Sequence, residues 1–314
     1  MSDARARPAP TTASGPGGSI YDLGYQRYDG PRLGRPAAVR ALFWHTLRSC
    51  YGIGRGGRAK IAPFTLAAMA LLPAIFAIGV AALISQAGPG GGRIEAASPI
   101  RYSTYYGIVS TFAMLFCAAQ GPELLGRDQR YGVLPLYFSR AMLRVDYALA
   151  KTLGLMAALL GLLVVPQLVL FVGRALAAPD LLNGLATEAS SLPAVVGQGA
   201  LVACLYGALT TLVSAWTPRR AYATASIIAL FVIPPIVVGV LAQLHRARAV
   251  TDWLVATSAA DLSSATNALL FGIRPDSAAV RASDLPLEAY LGIAIVGIAG
   301  SMLLTVRRYM RISA

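Results

Sequence analysis

The sequence predicts an all-α membrane protein with six transmembrane helices, both termini cytoplasmic, and an amphipathic interfacial helix ahead of the first span. Three observations carry this. Six apolar stretches are each about 20 residues or longer, and at about 1.5 Å rise per residue a helix of that length crosses a hydrocarbon core of about 30 Å. The composition, 56% hydrophobic and 13% charged with a mean hydropathy of +0.60, excludes an ordinary soluble domain. The basic residues between the stretches fall mainly on alternate sides.

Taken in order, residues 1–19 are rich in Ala, Pro, Gly, Ser and Thr without an apolar h-region, so they read as a disordered tail and not as a cleaved signal. Residues 20–61 form a cytoplasmic N-terminal segment. Within it Val39, Leu42, Phe43, Leu47 and Cys50 recur at helical spacing opposite Arg40 and Arg48, which predicts an amphipathic helix on the membrane surface. A helix packed on its own domain is the alternative. The membrane domain spans residues 62–306, with crossings at Ala62 to Ser85, Ser103 to Leu124, Tyr147 to Val172, Ala194 to Trp216, Ala221 to Leu244 and Pro286 to Val306. Backbone polar groups cannot be left unpaired in lipid, and the alternation of barrel strands is absent, so the crossings are helices. Residues 307–314 form a short cytoplasmic tail.

Ten basic residues precede the first span, five lie between the second and third, two between the fourth and fifth, and three follow the sixth. The other side receives seven: Arg93, Arg101, Arg174, Arg246, Arg248, Arg274 and Arg281. The positive-inside rule therefore places both termini in the cytoplasm, in a multi-pass protein of the cytoplasmic (inner) membrane. The net charge of +13 sits beside apolar spans, where it anchors helices and meets anionic lipid, so no nucleic-acid partner is expected.

Catalytic signatures are missing. Gly52, Gly54 and Gly57 satisfy a G-x-G-x-x-G search, but a spanning helix follows where a βαβ unit is needed, and Lys60 lacks the Gly before it and the Ser or Thr after it that a phosphate loop requires. The only histidines are His45 and His245, and Cys50, Cys117 and Cys204 have neither disulfide nor metal spacing. The chain is therefore expected not to be an enzyme and to hold no metal or cofactor of its own.

The stretch from Pro122 to Lys151, PELLGRDQRYGVLPLYFSRAMLRVDYALAK, is charged, amphipathic and too short for a domain. Tied to two spans, it is suited to be gripped by a soluble partner, although charges that merely solvate a turn explain it too. The run from Glu123 to Leu136, followed by Ser139, Arg140, Arg144, Tyr147 and Lys151, resembles the first cytoplasmic loop of type 2 ATP-binding-cassette (ABC) exporter permeases. The layout of a cytoplasmic amphipathic helix, six spans and a long external connection before the sixth is similar as well, and Tyr21 to Gly30 is similar to the N-terminal motif of actinobacterial members. Ala141 and Leu143 depart from the pattern, where many relatives carry Pro and a small polar residue. The resemblance implies an ATPase-coupling loop built on Glu123, Arg127, Asp128, Arg130, Tyr131, Arg140 and Arg144. It further implies two permease copies working with two copies of a separately encoded ABC ATPase, on which ATP and Mg would be bound and ATP hydrolysed.

The connection from His245 to Leu285 is too long to be structureless. Residues from Trp253 to Phe271 have helical stretches, which fit either a re-entrant cap over the external exit, as the resemblance implies, or a surface helix. No Asp, Glu, Lys or Arg sits at the centre of a span, which weakens proton-coupled mechanisms and favours ATP drive. The pathway candidates are Gln167, Gln198 and Gln243, each of which could equally make an interhelical hydrogen bond. Pro73, Pro166 and Pro234-Pro235 each free a backbone carbonyl. Gly199, Ala203, Gly207 and Thr211 form a small-residue stripe that permits close helix approach, within the chain or to a second copy. The expected function is export of an amphipathic drug, lipid or peptide. A secondary carrier and a membrane anchor or assembly factor without transport are the alternatives.

Overall fold

The computed structural model describes residues 30, 33–86, 100–139, 142–178, 180–243 and 253–311, and it is all-helical, with no strand among these residues. In chain order the helices are α1 (Gly34–Cys50), α2 (Gly57–Gln86), α3 (Tyr102–Gly121), α4 (Leu134–Phe138), α5 (Arg144–Ala177), α6 (Leu181–Ala189), α7 (Leu192–Trp216), α8 (Arg220–Gln243), α9 (Ala259–Phe271), α10 (Ala278–Ala282) and α11 (Leu287–Met310). Helix α3 does not stop at Gly121; it runs on through a π-helical turn, Pro122–Gly126, into a last α turn, Arg127–Arg130. Six of these helices, α2, α3, α5, α7, α8 and α11, are long and apolar enough to cross a membrane. The chain is a multi-pass membrane protein.

The spans match the six apolar stretches, with boundaries shifted outward where polar residues extend a helix past the hydrocarbon. The first starts at Gly57 and so carries Arg58 and Lys60 in its opening turn, the second reaches Arg130, and the third runs from Arg144 to Ala177. Hydropathy marks the lipid-embedded part of a helix, whereas the helix itself ends where its backbone hydrogen bonds end. Gly52, at φ +67° with a would-be Cβ 2.6 Å from the Ala59 carbonyl, makes the tight turn that returns the chain from α1 into α2. The expectations for residues 1–19, for Tyr21 to Asp29 and for Arg140 fall outside the described residues.

Helix α5 is the hub, packing against α1, α2, α3, α6, α7 and α11. The small-residue stripe explains its closest seam. A Cβ on Gly199 would lie 2.6 Å from Val164 Cγ2, and one on Gly207 would lie 2.7 Å from Met156 Cγ, so the stripe faces α5 within this chain. Helix α1 seats on the same hub: Gly154 of α5 leaves room for Thr46, and Tyr51 donates its hydroxyl to the Ala158 carbonyl at 2.7 Å. Leu42, Thr46, Ser49 and Cys50 are buried there, while Arg40, Trp44, His45 and Arg48 point outward. One face of α1 is thus packed on its own domain. Partial desolvation against the bundle, with Lys151 and Arg55 nearby, lowers the pKa of the outward-facing His45 from its ordinary value.

Prolines 73, 166, 234 and 235 lie inside continuous helices. The Ala70 carbonyl, three residues before Pro73, accepts the Tyr105 hydroxyl of α3. Cys50 and Cys117 are buried and Cys204 is half-buried, all three as free thiols, consistent with packing roles. Spans α2, α8 and α11 are the least buried. Ile61, Phe64, Leu72 and Phe76 on α2 and Ile233, Ile236 and Val240 on α8 are exposed apolar surface of the kind that lipid or a second membrane protein covers.

Candidate functional site

The residues from Glu123 to Arg144, at the end of the second span and the start of the third, divide into an inward and an outward set. The π turn places Glu123 and Asp128 toward the bundle. Glu123 forms ion pairs with Arg220 of α8 at 2.9 Å and, more loosely at 3.8 Å, with Arg55 of the α1–α2 turn. Asp128 pairs with Lys151 of α5 at 2.8 Å and accepts the Tyr147 hydroxyl at 2.7 Å. Lys151, whose side chain is only 5% exposed, also donates to the Leu124 carbonyl at 3.2 Å. That carbonyl lies in the π turn.

The same network reaches two more spans. The Gln129 amide donates to the Tyr309 hydroxyl of α11 at 2.8 Å and to the Ala215 carbonyl of α7 at 3.2 Å. The Tyr147 ring packs on Tyr309 and on Tyr137, each at 5.3 Å between centroids. Arg144 donates to the Met310 carbonyl at 3.0 Å, tying the start of α5 to the end of α11. Asp146 accepts the Leu143 N–H at the start of α5 and takes two hydrogen bonds from Arg35 of α1, at 2.7 and 2.8 Å. The segment from Glu123 to Arg144 therefore grips α5, α7, α8 and α11, while Asp146 ties α1 to α5.

Arg127, Arg130 and Tyr131 form the outward set. Tyr131 is 66% exposed and sits against both guanidinium groups, with Arg130 5.2 Å from its ring centroid and Arg127 6.0 Å. Exposed Leu136 and Leu143 lie farther along, beside an open groove of about 610 Å³ lined by Pro135, Phe138, Met142, Leu143 and Arg144. The sequence grouped seven residues as one coupling surface. Of these, the structure turns Glu123, Asp128 and Arg144 to internal partners, leaves Arg127, Arg130 and Tyr131 as surface, and does not describe Arg140. Gln129 and Tyr309 were not singled out from sequence, since an amide in a helical turn and a tyrosine at a helix end carry no signal until the ends are brought together.

Of the pathway candidates, Gln167 is buried in α5 with its side-chain carbonyl unpartnered, Gln198 is fully buried in α7, and Gln243 is exposed at the end of α8. Gln198 donates to the Ser263 carbonyl of α9 at 2.9 Å, so its amide makes the interhelical bond that was its alternative reading. Helix α9 is buried within the bundle against α3, α7, α8 and α11, with Ser258, Asp261, Ser263, Thr266 and Asn267 all buried; it is not a surface helix. Asn267 donates to the Ser103 carbonyl at the start of α3 at 3.1 Å, which sets α9 at the end of the bundle opposite the segment from Glu123 to Arg144. Beside it, Arg174 at the end of α5 pairs with Glu188 of α6 at 3.3 Å, and Tyr102 donates to the same carboxylate at 2.6 Å.

Among the described residues no group of three or more His, Cys, Asp or Glu could hold a metal ion. No protein-family model matches the chain, and no curated protein matches it.

Proposed function

We propose that this chain is the membrane-spanning permease subunit of an ATP-driven ABC-type exporter that moves an amphipathic drug, lipid or peptide outward across the cytoplasmic membrane. The observation that carries the reading is the segment from Glu123 to Arg144. Its outward face is basic, aromatic and apolar, as a protein-docking surface is. Its inward face is fastened by ion pairs and hydrogen bonds to α5, α7, α8 and α11. A force applied by a soluble partner at Arg127, Arg130 and Tyr131 is thereby delivered to four spans at once, which is what coupling to a separately encoded ATPase demands.

In this reading ATP and Mg are bound by the partner ATPase, and both termini and the coupling segment are cytoplasmic, in line with the positive-inside distribution. The outward face of α1, with Arg40, Trp44 and Arg48, lies at the lipid headgroups, where a tryptophan and arginines are at home. A second permease copy fits the exposed apolar faces of α2 and α8 and gives a 2:2 assembly.

The test is purification of the chain with its native ATPase, then ATP-driven export in liposomes. A Walker A-bearing subunit at one copy per permease, lost on Arg127→Glu with Arg130→Glu, supports the reading. A stable, monodisperse preparation without any ATPase moves the assignment to a secondary carrier or a membrane anchor.

A further inference from the structure

The outward face of α1 carries an open groove of about 440 Å³ lined by Ala41, Trp44, His45 and Arg48. These four fall at i, i+3, i+4 and i+7, one stripe of the helix, on the side away from the buried Leu42, Thr46, Ser49 and Cys50. Ala41, the smallest of the four, leaves the space. Trp44 is exposed, with its ring set edge-on against Phe43 at 5.6 Å between centroids. The backbone beneath is fixed, because Thr46 packs against Gly154 of α5 and the Tyr51 hydroxyl bonds to the Ala158 carbonyl. The lining residues therefore meet at one place on a rigid support.

The groove is positive, and no acid answers it. Helix α1 contains no Asp or Glu, and Arg48 forms no ion pair with a described residue. The described carboxylates at this end of the bundle, Glu123, Asp128 and Asp146, are each taken up by another cation, Arg220, Lys151 and Arg35. Desolvation, then Lys151 of α5 and Arg55 of the α1–α2 turn, lower the His45 pKa, and Asp128, already paired, opposes them. A field that resists a proton attracts an anion. Apolar surface adjoins the Arg48 end of the groove. Exposed Ile53 donates its N–H to the Arg48 carbonyl at 3.0 Å, and exposed Phe64 of the first span lies 6.4 Å from the Tyr51 ring. A soluble anion would use the arginine alone. A phospholipid uses the arginine for its phosphate, the tryptophan at the level of its glycerol, and the apolar surface beside its chains.

We propose that the groove of Ala41, Trp44, His45 and Arg48 is a binding site for the headgroup phosphate of an anionic phospholipid, with Arg48 as its donor. This rests on the placement of α1 at the lipid headgroups and not on coupling to an ATPase.

The experiment uses the full chain with Trp216→Phe and Trp253→Phe, both exposed positions, so that Trp44 is the one fluorescent tryptophan. It is placed in nanodiscs of phosphatidylglycerol and phosphatidylcholine at one fixed ratio, with bromine, a contact quencher, on the acyl chains of one lipid or of the other. The expected result is a preference of about fivefold for brominated phosphatidylglycerol at Trp44, the size of one arginine's attraction to anionic lipid. Arg48→Gln should bring it close to one. Ala41→Leu, which keeps every charge but fills the groove from an exposed helix position, should lower it too, and so tests the site even where Arg48→Gln does not yield a monodisperse protein. Arg307→Gln, an exposed arginine at the end of α11, should leave it unchanged, as should added inorganic phosphate. Equal quenching by the two lipids, or a preference that survives both groove variants, overturns the site. A preference that Arg307→Gln lowers equally makes it diffuse surface charge, and one that inorganic phosphate abolishes makes it a soluble-anion site; either overturns the proposal. Quenching by neither lipid overturns the placement of α1 at the membrane as well, which equal quenching leaves standing.

Discussion

The Asp128–Lys151 pair offers the sharpest test of how the coupling segment is held. Lys151→Met removes a buried ammonium and keeps the aliphatic stem. It takes away the 2.8 Å ion pair to Asp128 and the 3.2 Å hydrogen bond to Leu124, while Asp128 keeps the Tyr147 hydroxyl. With the two side chains only 5% and 14% exposed, solvent screens the loss little. Breaking a buried pair on one side costs about 3–5 kcal/mol, and the retained tyrosine bond puts this case near the lower figure. A loss of about 3 kcal/mol lowers the unfolding midpoint by roughly 6–12 °C for a chain somewhat smaller than this one. Asp128→Asn should lose a similar amount, because it leaves the ammonium without its counter-charge. The double variant should lose at least about 1.5 kcal/mol less than the sum of the two, since neither residue is then left charged and alone. The assay is thermal unfolding in one detergent for all four proteins. Losses additive to within about 0.5 kcal/mol would refute the pair as an energetic unit.

Other predictions follow from the same geometry. Arg127→Glu with Arg130→Glu changes exposed residues, so unfolding should shift by no more than about 0.5 kcal/mol while ATPase copurification is lost; loss of folding instead would put these arginines in the internal network. Glu123→Ala should act differently, leaving ATPase binding in place but loosening α8 and the α1–α2 turn, seen as faster proteolysis after Arg55 and Arg220. Gly207→Val drives a branched side chain into Met156 and should cost about 1–3 kcal/mol by thermal unfolding, and an unaffected midpoint would argue that the α5–α7 seam is looser than described. His45 favours its neutral form in the fold, so protonation opposes folding: stability should hold above the ordinary histidine range and fall as pH drops through it, a dependence that His45→Gln removes.

The spans were legible because length and apolar content are properties of contiguous residues, and lipid imposes them on each crossing separately. The small-residue stripe on α7 was legible too, and the structure adds only which helix it meets. What could not be read was orientation within the coupling segment. Glu123, Arg127, Asp128 and Arg130 look alike as a charged run, and it is the π turn at Pro122–Gly126, which no propensity marks, that turns the acids inward and leaves the arginines out. The burial of Asp261 was not legible, because the residue lies in the connection between two spans and not in an apolar stretch. Its signal was present: Ser258 three residues before Asp261 marks a helix start, and Gly272, at φ +62°, marks its end. A capped helix of that length in a long connection between spans has to bury its polar residues against something: here Asp261 meets Ser277 just before α10, Asn267 meets α3 and the Ser263 carbonyl meets α7.

Helix α7 reaches from one end of the bundle to the other. Near its C-terminus the Ala215 carbonyl accepts Gln129 of the coupling segment, and near its N-terminus Gln198 donates to α9. These residues are about 25 Å apart along the axis at 1.5 Å per residue. Between them, Gly199 and Gly207 hold α7 against α5, the helix that carries Lys151 and Tyr147. A tight seam between two long helices passes on a rotation or slide and does not absorb it, because close-packed interfaces have few intermediate arrangements. On the exporter reading, a displacement that a partner imposes at Gln129 and Lys151 has a direct physical route to Gln198 and, through its bond to the Ser263 carbonyl, to α9. That route requires the seam and not merely the two ends. Gly207→Ala, which puts a single methyl against the flexible Met156 side chain, should then weaken coupling between ATP hydrolysis and transport on the exporter reading while leaving ATPase docking intact. If coupling is unchanged in Gly207→Ala and in the bulkier valine variant alike, the signal does not pass through α7.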